Sequence, residues 1–210
     1  MNQVYMFMLK EYGRDEPVFM EVLEKELEMN REELEKQLQQ LSGAGKIGKV
    51  NETIYFIPRI HSILKNPTLS VDKIIREKYI LDKGEIIGYK SGVNFANELG
   101  LTSQTASRSI IVTNNTDLPE KEVSFYNKIL SIRKAKHKIN SENYRIFQIL
   151  DLLTDFDKLS EEPIEKAKYK FFEYLVDTNV SLEEVIVYLE CYPDKTKRVV
   201  NKIFLKVYDF

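Results

Sequence analysis

One stretch limits what this chain can fold into more than any other. Asn30, with Glu33 three residues later, opens a segment in which Leu34, Leu38 and Leu41 share one helical face, and Gly43 and Gly45 close it. The Asn side chain can accept from the free N–H groups of the first turn while Glu33 reaches back, so the helix start is marked. The glycines stop the helix, and Lys46 to Val50 and Thr53 to Ile57 then alternate about an Asn51-Glu52 turn, which predicts a two-stranded hairpin. What precedes is helical. Val4, Tyr5, Met8 and Leu9 recur at helical spacing from Asn2 to Glu11, where Tyr12-Gly13 ends the run. Pro17 suits the first turn of a second helix to about Glu28, with Phe19, Val22, Leu23 and Leu27 inward.

Helix, helix, short turn, helix and ribbon is the order of a winged helix-turn-helix, predicted over residues 1–58. In that arrangement the third helix enters the major groove and the ribbon lies along the backbone. The face opposite the leucines carries Glu32, Glu35, Lys36, Gln39 and Gln40, and the ribbon carries Lys46 and Lys49. Gln reads adenine bidentately and Lys binds phosphate or guanine, so Lys36, Gln39 and Gln40 are the candidate base readers, with Lys46 and Lys49 on phosphates. Glu32 and Glu35 oppose a polyanion, which leaves open an alternative in which the winged segment is a protein-interaction module that does not bind DNA.

The same stretch contains two short nucleotide-binding patterns. Gly43 to Gly48 matches G-x-G-x-x-G, and Gly43 to Lys49 matches a P-loop except that Val50 stands where Ser or Thr would hold magnesium. Both patterns need a strand before and a helix after, so that phosphate meets a helix N-terminus. Here the glycines follow a helix and open a hairpin, and they read as a helix C-cap and the entry to the wing.

Residues 59–69 read as a connector, and 70–210 as a second domain. Its first part, 70–140, is a mixed α/β region. Ser70 caps a helix from Val71 to about Leu81, and Gly84 ends the turn after it. Glu85 to Tyr89 is a short strand, Ser91 caps a helix through Asn97, and Leu99-Gly100-Leu101 has the form of a helix end. Arg108 to Thr113 is a buried-type strand, Asn114-Asn115 a turn, and Glu122 to Lys138 holds one or two further strands. Residues 141–210 form a helical extension. There Tyr144, Phe147, Ile149, Leu150 and Leu153 line one helix, and Tyr169, Phe172 and Leu175 a second from Pro163 to Val176. Leu182, Val185, Ile186 and Leu189 line a third capped by Ser181, and Val199, Val200, Ile203 and Phe204 a last one from Pro193 to about Val207. The fold class is α+β. Aromatics at helical spacing are core first, and where exposed they offer a homodimer or partner surface.

The run from Gly88 to Ala106, preceded by Tyr55-Phe56-Ile57-Pro58 at the end of the winged segment, carries a family resemblance. Its strand, its Ser91-Gly92, its Ala96-Asn97-Glu98-Leu99-Gly100-Leu101 helix end and its Ser103-Gln104 pair resemble the AbiEi-type antitoxins of abortive-infection, type IV toxin–antitoxin systems and a related hypothetical antitoxin family. The likeness covers roughly residues 1–138 and is most specific over Asn97 to Gln104. It implies a cytoplasmic DNA-binding transcriptional regulator that represses its own operon by binding operator DNA. It also implies an antitoxin that counteracts a nucleotidyltransferase-like toxin, acting on the toxin or on its RNA substrate.

Charge sharpens the partner question. The net charge of -2 hides a basic centre: residues 1–58 hold 7 basic and 11 acidic side chains, residues 59–140 hold 14 and 8, and residues 141–210 hold 10 and 14. The densest basic stretch is Lys128, Arg133, Lys134, Lys136, His137 and Lys138. It reads either as a patch for nucleic acid or a partner, or as a solvated strand edge whose lysines discourage sheet-to-sheet pairing.

Other classes receive no support. No apolar run approaches the roughly 18 residues of a membrane span, and Met1 to Lys10 lacks a signal-peptide layout, so a cytoplasmic location is expected. With Cys191 alone and only His61 and His137, neither an intrachain disulfide nor a Cys/His zinc site can be assembled, and no metal or cofactor is expected. Ser62 to Lys65 and Ser131 to Lys134 both fit S-x-x-K without companion motifs, and Glu32-Glu33 and Glu161-Glu162 sit at helix starts where negative charge favours the macrodipole. No catalytic role is expected.

Overall fold

The structure, a computed structural model, describes residues 2–59 and 67–205. His61, Ser62, Lys65 and the end of the last helix at Val207 lie outside the described residues. The chain is α+β and divides into two compact units, Met1–Glu77 with Phe125–Asn127, and Lys78–Ser124 with Lys128–Phe210.

In the first unit α1 (Gln3–Glu11) starts at Asn2, whose side chain accepts from the Tyr5 N–H, and ends at Tyr12 before Gly13 at φ +77°. β1 (Val18–Phe19) follows, then α2 (Met20–Glu26), α3 (Arg31–Gly43), β2 (Gly48–Asn51) and β3 (Ile54–Phe56). The second helix therefore begins at Met20 rather than Pro17. Val18 and Phe19 are extended because they pair antiparallel with Tyr55 and Ile54, and β1-β3-β2 make a three-stranded sheet. The hairpin turn falls one residue later than expected. Asn51 ends β2, and its side-chain oxygen accepts from both the Thr53 N–H and hydroxyl, which moves the turn to Glu52-Thr53.

α3 starts where the sequence marks it. Asn30 accepts from the Glu33 N–H at 2.9 Å, but Glu33 turns away to accept from Gln37, so only half of the expected reciprocal cap forms. Leu34, Leu38 and Leu41 are buried with Val4, Met8, Val18, Met20, Leu23, Ile47, Tyr55 and Ile57 in one core. Gly45, at φ +67°, lets the Lys46 N–H reach back to the Leu41 carbonyl at 3.0 Å and close the helix. Gly48 has a different task. It faces Phe56 across the ladder, and a Cβ there would lie 2.3 Å from the Phe56 ring. The G-x-G-x-x-G spacing is thus a helix end plus a ring seat, with Gly45 in the expected C-cap motif and Gly48 at the entry to the hairpin.

α4 (Val71–Ile75) follows Ser70 and runs into a π-helical turn, Arg76–Ile80, shorter than the helix expected to Leu81. In the second unit β4 (Leu81–Asp82) and β5 (Glu85–Ile86) form a hairpin about Lys83 and Gly84, both at positive φ. β6 (Gly88–Ser91), α5 (Gly92–Glu98), β7 (Ser109–Thr113), β8 (Glu120–Phe125) and β9 (Lys128–Lys134) come next. The strand expected over Glu85 to Tyr89 is divided between two sheets. The Ile87 N–H bonds to the Ile80 carbonyl, after which Gly88 begins the four-stranded sheet β6-β7-β9-β8. β6 and β7 are antiparallel and β7 and β9 parallel. Gly100 at φ +64° and buried Leu101 end α5 as anticipated, with the Leu101 N–H on the Ala96 carbonyl.

The helical part comprises α6 (Tyr144–Thr154), α7 (Phe156–Leu159), α8 (Ile164–Leu175), α9 (Leu182–Leu189) and α10 (Asp194–Val200), the last continuing as a π-helical turn to Leu205. α6 is the centre, burying Phe147, Ile149, Leu150 and Leu153 against β6, α5, α8 and α10. α9 has the full reciprocal cap: Ser181 accepts from the Glu184 N–H while Glu184 accepts from Ser181. Two apolar stripes are rotated from expectation. On α8 the inward pair is Ala167 and Phe171, one turn apart, and Tyr169 is 68% exposed; on α9 only Leu189 is buried and Leu182 and Ile186 are about half exposed. Among the described residues no helix is long and apolar enough to cross a membrane.

Candidate nucleic-acid interface

Burial of Leu34, Leu38 and Leu41 turns the opposite side of α3 outward. Lys36, Gln39 and Gln40 are exposed there, none with a side-chain partner among the described residues. Glu32 is exposed on the same helix, and Glu35 is held by Arg31, Nε to Oε1 3.1 Å. The i,i+4 pairing removes one of the two opposing charges from free competition. The hairpin lysines differ from each other. Lys46, exposed just before β2, has no partner among the described residues, whereas Lys49 Nζ lies 2.7 Å from Glu52 Oε1, a bond that raises the Lys49 pKa. One hairpin cation is available and the other is internally neutralised.

The basic cluster of the second unit is split by its strand. β9 lies inside the sheet between β7 and β8, so the strand-edge reading of these lysines is wrong for this topology. Lys128 starts β9, and Arg133 and Lys134 finish it, about six residues or roughly 20 Å away. Lys136, His137 and Lys138 follow. Lys138 is exposed, and His137 stacks near Phe147 and places Nε2 3.3 Å from Cys191 Sγ. Arg133, Lys134 and Lys136 come together on the wall of a cleft of about 400 Å3, facing Asp151, Asp155 and Lys158.

Asp151 organises that wall. Its Oδ2 accepts from the Tyr89 hydroxyl at 2.9 Å, and its Oδ1 accepts from the Tyr192 hydroxyl at 3.0 Å and from Lys136 Nζ at 2.6 Å. Lys136 also sits 3.9 Å above the Tyr192 ring. Burial, and then the Asp151 charge, push both tyrosines upward, so they remain protonated donors. Glu120 is lowered by the Ser131 hydroxyl and then by Arg133, whose Nε stands 3.3 Å away without hydrogen-bond alignment. Lys158 is held by Asp155 at 2.9 Å, and Lys134 has no carboxylate partner among the described residues. Lys136 and Lys134 lay in a visible basic run, whereas Asp151, Tyr89, Tyr192 and Lys158 carried no shared motif.

The segment Asn97 to Gln104 is occupied in holding the fold. The Asn97 amide donates to the Gln104 carbonyl, and Glu161 accepts from the Thr102 hydroxyl and from the Ser103 N–H and hydroxyl at 2.9 to 3.0 Å. These donors, the Ser103 N–H first, lower the Glu161 pKa. Glu161 therefore has a tertiary partner set beyond the helix-start role expected from sequence. Among the described residues no group of His, Cys, Asp and Glu is placed to hold a metal ion. Comparison with family models, with curated proteins and with solved structures finds no match to this chain.

Proposed function

We propose that the protein is a DNA-binding transcriptional regulator and antitoxin-like protein, with residues 1–58 acting as a winged helix-turn-helix. The observation that carries the reading is the outward face of α3, where Lys36, Gln39 and Gln40 are exposed and have no side-chain partner among the described residues, on a helix anchored by three buried leucines. Such a helix is rigid and its readers are free, as base recognition requires. The order helix, strand, helix, helix, hairpin supports the winged assignment, since a hairpin beside a reading helix reaches the phosphates. In this account Lys36, Gln39 and Gln40 contact base edges in operator DNA and Lys46 contacts phosphate. Lys49 contributes only when it leaves Glu52. The antitoxin half, directed at a nucleotidyltransferase-like toxin or its RNA substrate, rests on the resemblance of Gly88 to Ala106 and is assigned to the second unit.

A second reading has its own support. The exposed Glu32 and the neutralised Lys49 reduce the positive field expected of a DNA reader, which favours a winged module used for protein contacts. A mobility shift on the DNA upstream of the coding sequence, at low and at physiological salt, separates the two. The regulator account expects a specific, salt-sensitive shift that Lys46→Glu weakens. Absence of any specific shift at low salt would sink it in favour of the second reading.

A further inference from the structure

We propose that the cleft between β7, β9 and the α6–α7 corner binds a nucleoside phosphate. The space, about 400 Å3, is of the size that small-ligand sites occupy. Its lining has two characters. Arg133, Lys134, Lys136 and Lys158 supply four cations against three carboxylates, Asp151 and Asp155 in the lining and Glu120 beside Arg133, and Ile110, Val112 and Leu159 supply an apolar wall. A phosphate with an attached sugar and base has the matching division, an anionic end and a flat apolar end.

The cations are prepared for an anion. Asp151 has both oxygens occupied by Tyr89, Tyr192 and Lys136, so it fixes the Lys136 ammonium while that group keeps two further N–H donors. Lys158 is held in the same way by one carboxylate, Asp155, and Lys134 is exposed without a carboxylate partner among the described residues. The Arg133 Nε stands 3.3 Å from Glu120 Oε1 and has no aligned hydrogen-bond acceptor among the described residues. An exposed lysine without a carboxylate partner among the described residues, beside an arginine whose Nε is paired with Glu120 only by charge and not by an aligned hydrogen bond, favours an anionic occupant. Preset donors reduce the ordering penalty of binding, which is how a cleft with shared charges can still hold a phosphate. This site lies wholly within the second unit and does not rest on the DNA-binding reading.

The test is isothermal titration of the full chain with the four ribonucleoside triphosphates, with the four corresponding nucleosides and with pyrophosphate. The expected result is saturable binding of at least one triphosphate in the micromolar to sub-millimolar range. The matching nucleoside and pyrophosphate should each be weaker by about tenfold or more, since each offers one half of the ligand. Lys134→Glu should weaken the triphosphate by about tenfold or more and Lys158→Gln by a smaller factor, with Lys166→Glu on α8 unchanged. Because Lys134 is exposed and unpaired, its substitution leaves the fold intact, which an unchanged melting midpoint checks. No saturable binding up to about millimolar triphosphate, or binding indifferent to Lys134→Glu, would overturn the proposal. Pyrophosphate binding as tightly as the triphosphate would overturn its nucleoside part.

Discussion

Lys49 Nζ lies 2.7 Å from Glu52 Oε1 across the tip of the β2–β3 hairpin, so one of the two lysines of the hairpin region is matched by an acid from its own turn. An exposed pair of this kind adds little to stability, but it competes with any external phosphate for the ammonium. Glu52→Gln is therefore expected to tighten association with upstream DNA by about twofold to fivefold at low salt and to steepen the salt dependence by about one charge. Fluorescence anisotropy across a salt series measures both.

Gly48 and Gly43 belong to the same short pattern but face different surroundings. A Cβ at Gly48 would lie 2.3 Å from the Phe56 ring, whereas one at Gly43, inside α3, meets nothing within 4 Å. Gly48→Ala should destabilise the first unit by about 1–3 kcal/mol through overpacking. Gly43→Ala should be neutral or stabilising by up to about 1 kcal/mol. Urea unfolding of the two variants gives the comparison.

The Asp151 cluster predicts an alkaline limit. Tyr89 and Tyr192 have pKa values raised above their ordinary 10.0 in the folded state, so the folded chain holds those protons more tightly than the unfolded one. The stabilisation is complete below pH 10, the unfolded value, and declines as pH rises from there toward the folded values. Melting midpoints should fall above about pH 10, and Tyr192→Phe should flatten that fall. At neutral pH the same substitution should destabilise by about 1.5–3 kcal/mol, because it removes a hydrogen bond to a carboxylate.

Glu161 predicts the opposite limb. Its pKa lies below the ordinary 4.5 because the Ser103 N–H and the Thr102 and Ser103 hydroxyls donate to it. Its contribution is present above that ordinary value and is lost as pH falls through the lowered one. Glu161→Gln, or acidification of the unaltered protein, should loosen the loop, seen as faster hydrogen exchange at the Ser103 amide. Exchange that stays slow in the variant would show that the loop is held by other means.

What the sequence makes legible is local. Asn30 before α3, Ser181 with Glu184 before α9, and Gly100-Leu101 after α5 each act within one helical turn, so residue type and spacing identify them. β1 was hidden because Val18 and Phe19 become a strand only by pairing with Tyr55 and Ile54, more than thirty residues away. The phase of the α8 stripe is set by Ala167, small but buried, while Tyr169, aromatic but exposed, points the sequence pattern to the wrong face. On the candidate sites, the outward Lys36, Gln39 and Gln40 follow from helical phase alone. The Asp151 cluster does not, since Tyr89, Lys136 and Tyr192 meet only after β6, the segment after β9 and the turn before α10 have packed around α6.

The most direct test is selection of bound sequences from a random duplex library by the full chain, beside a Gln39→Ala, Gln40→Ala double variant. The regulator account predicts that the unaltered protein enriches one motif with adenine at fixed positions and that the double variant loses preference there, by about 1–3 kcal/mol per base contact, while keeping its fold. Enrichment of no motif by the unaltered protein, or the same motif from both proteins, would contradict base reading by α3.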